Sequence, residues 1–345
     1  MRKSLIKSYH FRLAIFSLIF FAIISIFCFA TWAVAKVTYY TFDEGHPLVY
    51  RSTSLDNSSE IEQAISSYLL EKPIDGLVLS ASAYLVSDLS SKEVVVRKNE
   101  NRVLPIASVT KLVTASVAQE FLDPEQDIII TTEAWETYGN TGQLRVGEKI
   151  PFEIILYPLL LTSSNDAAEA IALTVGREKF LSRMNAFAKQ IGMTNTHFAD
   201  PSGLSPDNLS TPADLSRLAG YLYENKPDLL ALTREESYRY RGHTWSNYNN
   251  VSLMKYYVGG KNGYTDEANR TLVSLFEVPI NNSSSSDSGS EGKKSHLLSV
   301  VLLQSEDKNK DTHNLIDFLA HYVSYDSTTS KNGFIPIVST EENNQ

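Results

Sequence analysis

An unbroken apolar run, residues 13–35, dominates the start of the chain and carries no charged side chain. At about 1.5 Å of rise per residue it is long enough to cross a hydrocarbon core as a helix. Beyond it the apolar positions become periodic. Ile61, Ala64, Ile65, Tyr68 and Leu69, behind Ser59, predict a capped amphipathic helix that closes a polar stretch. Residues 82–89 and 93–98 are β-rich around Ser90-Ser91-Lys92, the pattern of a hairpin. Val109, Leu112, Val113, Val117 and Phe121 then recur at helical spacing, with Pro105, Ala107 and Ser108 where a helix should start.

Further along, residues 127–131 read as a short strand, and Val146-Gly147-Glu148 as a turn. Residues 152–161 predict a buried helix that Pro158 should bend or restart. Ala167, Ala168, Ala170, Ile171, Ala172 and Val175 form the next helix, and Ser163, Ser164, Asn165 and Asp166 are all cap candidates before it. The helical pattern continues over residues 180–191. A turn-rich stretch containing Asp200-Pro201-Ser202-Gly203-Leu204 follows, positioned to rim a site or simply to connect, and Thr211-Pro212 opens another helix. Gly259-Gly260-Lys261-Asn262-Gly263 leads a lysine into a strand. The strands 270–278 and 296–304 should form a hairpin around the low-complexity, flexible residues 281–294. Residues 315–323 give a last helix, and the polar residues after it need not fold.

Strands at both ends with helices between them predict an α/β body of the α+β type, a central antiparallel sheet flanked by helices with the Ser108 helix as its hub. The expected organisation is a cytoplasmic N-terminus and membrane segment over residues 1–36, a stalk with a docking helix over 37–75, a body over 76–323 and a flexible tail over 324–345. Arg2, Lys3, Lys7 and Arg12 precede the apolar run and only Lys36 closely follows it, so the body should lie outside the membrane. Ala33-Val34-Ala35 resembles a cleavage site, but the run exceeds a usual signal core of about 7–15 residues, which favours an uncleaved anchor.

Composition narrows the chemistry. A net charge of −9 over 345 residues gives no basic field for nucleic acid. The only cysteine, Cys28, lies within the apolar run, which leaves the body without a disulfide, a thiol nucleophile or a thiolate zinc site. The histidines His46, His197, His243, His296, His313 and His321 have no metal spacing and read as surface or structural, and there is no G-x-S-x-G elbow for a Ser-His-Asp hydrolase.

Ser108 and Lys111 are separated by one helical turn, about 5–6 Å at Cβ, so the amine could take the hydroxyl's proton during attack. The helix's unpaired N–H groups would disfavour a protonated lysine and stabilise an oxyanion there. The plainer alternative is that Ser108 caps the helix and Lys111 is a solvated charge. The same S-x-x-K spacing recurs at Ser4, Ser252, Ser290 and Ser305, so context must decide. Two more polar clusters supply it: Ser163-Ser164-Asn165 and Lys261-Asn262-Gly263.

With IASVTKLVTA, LLLTSSNDAAEAIA, FADPSGL and VGGKNGYTDEANRTLV in this order, the chain resembles the low-molecular-mass D-alanyl-D-alanine carboxypeptidases, serine DD-peptidases of the penicillin-binding protein and β-lactamase superfamily. The likeness covers residues 80–323. It implies the DD-peptidase fold, a serine carboxypeptidase without a cofactor, peptidoglycan stem peptides as substrate and β-lactams as covalent inhibitors. By the resemblance Ser108 is the nucleophile, Lys111 its base and Ser163 a proton relay to the leaving amine. Asn165 would hold Lys111 and the substrate amide, and Lys261 the substrate carboxylate. The N–H groups of Ser108 and Tyr264 would form the oxyanion hole, and Asn262-Gly263 would complete the binding strand. Two positions depart from the family. Ser164 stands where glycine is usual, and Asn262 replaces a threonine or serine hydroxyl with a longer, differently aimed amide donor. Asn269 also stands where glycine is common, beside Arg270, a possible carboxylate partner. The alternatives are a DD-endopeptidase using the same steps, a low-turnover peptidoglycan- or β-lactam-binding protein, and a β-lactamase, for which residues 198–209 offer no clear deacylating carboxylate.

Overall fold

The computed structural model describes residues 67–71, 76–139, 141–282 and 293–326. The apolar run, the expected docking helix up to residue 66, the serine-rich residues 283–292 and the tail from residue 327 lie outside them. Among the described residues no helix is long and apolar enough to cross a membrane.

A seven-stranded sheet organises the body. Its strands are β1 (Tyr68–Leu70), β2 (Ala83–Asp88), β3 (Val94–Lys98), β4 (Tyr257–Thr265), β5 (Asn269–Asn282), β6 (Lys293–Ser305) and β7 (Val323–Tyr325). They run in the order β1-β7-β5-β6-β2-β3, and β4 pairs with the first part of β5. The two expected hairpins are present: Val86 faces Val96 across β2-β3, and Val273 faces Val301 across β5-β6. Three expectations need correction. Tyr68–Leu70 is a strand, not the end of a helix, because it pairs antiparallel with β7. Ser324 and Tyr325 belong to that strand and not to a loose tail. The sheet is not wholly antiparallel, since Asn281 and Asn282 lie parallel to Ser324 and Tyr325.

The central strands are buried on both faces, which is why they read as nearly continuous apolar runs. Their alternation splits the core in two. Val273, Leu275, Val301 and Leu303 face the helical layer. Leu272, Phe276, Val300 and Leu302 face α7 (Lys308–Tyr322), which contributes Leu315, Phe318 and Leu319. The helical layer holds α1 (Thr110–Ala118), α2 (Phe152–Leu160), α3 (Asn165–Val175), α4 (Arg177–Gln190), α5 (Pro212–Asn225) and α6 (Pro227–Leu232). All nine residues of α1 are buried, the polar Thr110, Lys111, Thr114 and Ser116 among them, so it is the hub of this layer. Thr211 caps α5 with Pro212 at its start, as its sequence predicts.

A further hairpin, Ser237–Tyr240 with His243–Ser246, escapes the sequence reading. Its signal was present in the alternation of Tyr238, Tyr240, His243 and Trp245 around Arg241-Gly242, both at positive φ. Trp245 is buried and donates its indole N–H to the Gly142 carbonyl at 2.8 Å, which fixes the loop before α2.

Candidate active site

The turn that carries Ser108 is a short 3-10 segment, Ala107–Val109, leading into α1. Ala107 sits at φ 49, a conformation costly for a residue with a Cβ. Two neighbouring segments hold it there. A Cβ added to Gly203 would fall on the Ala107 carbonyl, and one added to Gly263 would lie 2.7 Å from the Ser108 nitrogen. The Thr271 hydroxyl also donates to the Ile106 carbonyl at 2.9 Å. The N-cap positions of this segment and of α1 are Ile106 and Val109, neither making a side-chain bond, so the alternative in which Ser108 caps the helix does not hold.

Nor is Lys111 a solvated charge. It is 0% exposed, and its Nζ lies 2.9 Å from Ser108 Oγ, 2.6 Å from Asn165 Oδ1 and 2.5 Å from the Ser202 carbonyl. Burial pushes its pKa down to about 7, against Asp200 and Asp166, which act to raise it. A large fraction of these amines is therefore unprotonated at neutral pH, as a base requires.

The four cap candidates before α3 divide their work. Pro158 sits inside α2, and its carbonyl takes both the Thr162 hydroxyl and the Ser164 N–H, each at 2.9 Å. This ends the helical course of the chain and leaves Ser163 at φ 62. Ser164 is the actual N-cap, accepting from the Ala167 N–H and bonding Asp166. Asn165, freed from capping, reaches Lys111 with its oxygen and donates its Nδ2 to the Tyr138 carbonyl at 2.8 Å. The Ser163 Oγ is buried with no hydrogen-bond partner among the described residues. An orphaned hydroxyl of this kind costs stability unless a ligand or water uses it.

Lys261 enters through β4 and is 1% exposed. Burial, then the nearby charges of Lys111 and Lys308, hold its amine well below the ordinary lysine value. It donates to the Asn262 carbonyl at 2.8 Å, with Asn262 Oδ1 at 3.5 Å. Tyr264, two residues after Asn262, is 57% exposed, and its hydroxyl bonds Asp266. Arg270 lies over the Tyr264 ring and bonds the Glu306 carbonyl at 2.8 Å.

The motif reading missed some residues. Asp200 is the anchor of the DPSGL turn. Its Oδ1 accepts from the N–H groups of Ser202, Gly203 and Leu204 and from the Ser202 hydroxyl, and its Oδ2 accepts from Ser205 N–H. Burial alone would raise its pKa, but these bonds outweigh it and hold the carboxyl below its ordinary value. The turn so fixed delivers the Ser202 carbonyl to Lys111 and Gly203 to Ala107, so it rims the site. An aspartate two residues before a serine and three before a glycine was the available signal. Lys308, at the start of α7, is a third buried lysine, lowered to about 8 chiefly by burial. Nothing in its surroundings along the sequence distinguished it from the other S-x-x-K lysines.

The arrangement is thus a hydroxyl beside a buried, partly neutral amine, an unbonded hydroxyl on the neighbouring loop and further cations on a sheet edge. It can perform nucleophilic attack with local proton transfer and bind an anionic group. A family model described as D-alanyl-D-alanine carboxypeptidase matches residues 71–277. A D-alanyl-D-alanine endopeptidase of Pseudomonas aeruginosa is 34% identical over 223 residues, 59% of this chain and 70% of that one. A D-alanyl-D-alanine carboxypeptidase of Mycobacterium tuberculosis is 31% identical over 202 residues, 56% of this chain and 69% of its own length. The solved structure of a D-alanyl-D-alanine carboxypeptidase from Mycobacterium tuberculosis H37Rv aligns at a TM-score of 0.62 and 25% identity, covering 74% of this chain and 94% of that one.

Proposed function

Since the chain belongs to the D-alanyl-D-alanine carboxypeptidase family of serine peptidases, we propose that it removes the terminal D-Ala of peptidoglycan stem peptides through an acyl-enzyme at Ser108. The observation that carries this reading is the contact between Ser108 Oγ and the fully buried Lys111 amine, at 2.9 Å and with a pKa of about 7.

Neutral Lys111 takes the Ser108 proton as Oγ attacks the carbonyl carbon of the D-Ala-D-Ala peptide bond. The N–H groups of Ser108 and Tyr264 receive the oxyanion. As the C–N bond breaks, the proton passes through the Ser163 hydroxyl to the leaving amine, a role that suits a buried hydroxyl with no partner among the described residues. Asn165 holds Lys111 and the acyl-side amide of the substrate. A bound carboxylate favours the charged form of Lys261, which with Lys308 nearby supplies the positive field for that carboxylate, and the Asn262 amide donates where a hydroxyl is usual. Gly263 lets β4 approach the nucleophile's turn. Water then cleaves the ester and returns Ser108. A β-lactam would acylate the same oxygen.

Residues 13–35 act as an uncleaved membrane anchor, followed by a stalk, with the catalytic body, whose sheet takes in Tyr68–Leu70 and Val323–Tyr325, outside the membrane. The charge-free run and the four flanking basic residues support this. The endopeptidase reading stands second, favoured by the 34% identity to the Pseudomonas aeruginosa endopeptidase.

Covalent labelling of the full chain by a fluorescent penicillin should vanish in Ser108→Ala; equal labelling of the variant would refute the nucleophile assignment. Mass spectrometry of muropeptides should show loss of one D-Ala from pentapeptide monomers. Scission of cross-linked dimers alone would select the endopeptidase, and no Ser108-dependent change would overturn both.

A further inference from the structure

Beside the cleft, a short helix and the turn after it present two large aromatic side chains to solvent. Trp135, the last residue of Thr132–Trp135, is 44% exposed, and Tyr138 is 84% exposed. Their backbone, in contrast, is fixed. The Thr131 hydroxyl caps the helix by accepting from Ala134 N–H at 3.1 Å. The Tyr138 carbonyl takes the Asn165 Nδ2 at 2.8 Å, and a Cβ added to Gly139 would lie 2.8 Å from that same nitrogen. Tyr138 is therefore tied to the amide that holds Lys111.

The charge of this segment is uniform. Between Thr131 and Gly142 the only charged residues are Glu133 and Glu136, both exposed and on either side of Trp135. Glu133 is near enough to α3 to help keep the Glu169 carboxyl above its ordinary value, after burial and together with Asp200. The segment that borders Asn165 is aromatic and carries only carboxylates, with Arg177 held by Glu169 behind it, whereas the β4 side of the cleft carries the basic residues Lys261, Lys308 and Arg270. Such a division orients a substrate that carries a cation at one end and a carboxylate at the other.

We infer that Trp135 and Tyr138, with Glu133 and Glu136, form a subsite for the side-chain ammonium of the diamino acid that precedes D-Ala-D-Ala in a stem peptide. The inference rests on the peptidase reading, in which Asn165 binds the acyl-side amide and the residues before the scissile bond pass Tyr138. An ammonium over an indole face is attracted by the ring quadrupole, more strongly than over tyrosine or phenylalanine, and the two carboxylates add countercharge. A stem whose diamino acid is acylated by a cross-link has lost that charge. The subsite therefore selects stems with a free amine on the acyl side.

The test compares two peptides on the full chain, Nα-acetyl-L-Lys-D-Ala-D-Ala and its Nα,Nε-diacetyl form. The free-amine peptide should have a kcat/KM about tenfold higher, the order expected of a cation-π contact with a nearby carboxylate, and the difference should reside in KM. Trp135→Leu and Glu133→Gln should each reduce the preference, Trp135→Phe should retain part of it, and added salt should weaken it. Equal kcat/KM for the two peptides in a wild-type protein that penicillin labels would overturn the subsite alone. A preference unchanged in both Trp135→Leu and Glu133→Gln would do the same. Absence of labelling in the wild-type protein would instead remove the peptidase premise.

Discussion

Asp200→Asn separates the support of the site from its chemistry. The carboxylate accepts four bonds at Oδ1 and one from Ser205 N–H at Oδ2, the last at 2.6 Å. An asparagine can keep the Oδ1 set but must turn an N–H₂ toward the Ser205 N–H, which loses a charge-assisted bond and sets two donors against each other. At about 1.5–3 kcal/mol per bond to a charged group, plus a donor left unsatisfied, the loss should be about 2–4 kcal/mol. The Asp200 pKa lies below its ordinary value in the fold. Its stabilisation is therefore complete above the ordinary carboxylate range and fades as pH falls through the depressed value. The variant's deficit should be largest near neutral pH and shrink in acid. The same change removes a negative charge that raises the Lys111 pKa. At an effective permittivity of about 20 a nearby charge contributes on the order of 1 kcal/mol, or somewhat under one pKa unit. The midpoint of penicillin acylation against pH, about 7 in the wild type if Lys111 is the base, should thus move down. Urea denaturation from pH 3 to 8 and stopped-flow acylation from pH 5 to 9 measure the two effects. A midpoint that moves upward, or stays fixed while stability falls, would show that Asp200 does not act on Lys111 through its charge.

Neighbouring serines should respond in opposite ways. Ser163→Ala removes a buried hydroxyl with no partner among the described residues, so stability should hold or rise by up to about 1 kcal/mol while acylation slows by about 10²-fold or more. Ser164→Ala removes the N-cap of α3 and should cost about 1 kcal/mol. The two denaturation midpoints decide this, and a larger stability loss at Ser163 would contradict the division. Gly203→Ala places a methyl group on the Ala107 carbonyl at φ +85 and should cost more than about 3 kcal/mol. A loss below about 1 kcal/mol would mean that the two turns are not in contact.

Alternation and spacing along the chain settled a good deal on their own. The β2-β3 and β5-β6 hairpins follow from period-two runs around polar turns, and α1, α3 and α5 from helical spacing with local start signals. The three polar clusters were legible because each is short and has its own local context. These features lie within a few residues of their causes. What the linear pattern could not specify was which polar group meets which. Four residues before α3 had equal claims as caps, and only the Pro158 carbonyl, drawing in Ser164 N–H, decides that Ser164 caps, Ser163 stays unbonded and Asn165 turns to Lys111. From its own stretch Lys111 reads more plainly as a solvated cation than as a base, until sheet and helices close over all of α1. Its lowered pKa is a property of that burial, not of the S-x-x-K spacing, which Lys308 shares at the start of another helix. The strands at Tyr68–Leu70 and Val323–Tyr325 were invisible for a related reason. Three residues carry no period, and their pairing partners lie across the fold. Local sequence therefore sets the elements and the chemical inventory, while desolvation and partner choice, which depend on what packs from a distance, turn that inventory into a site.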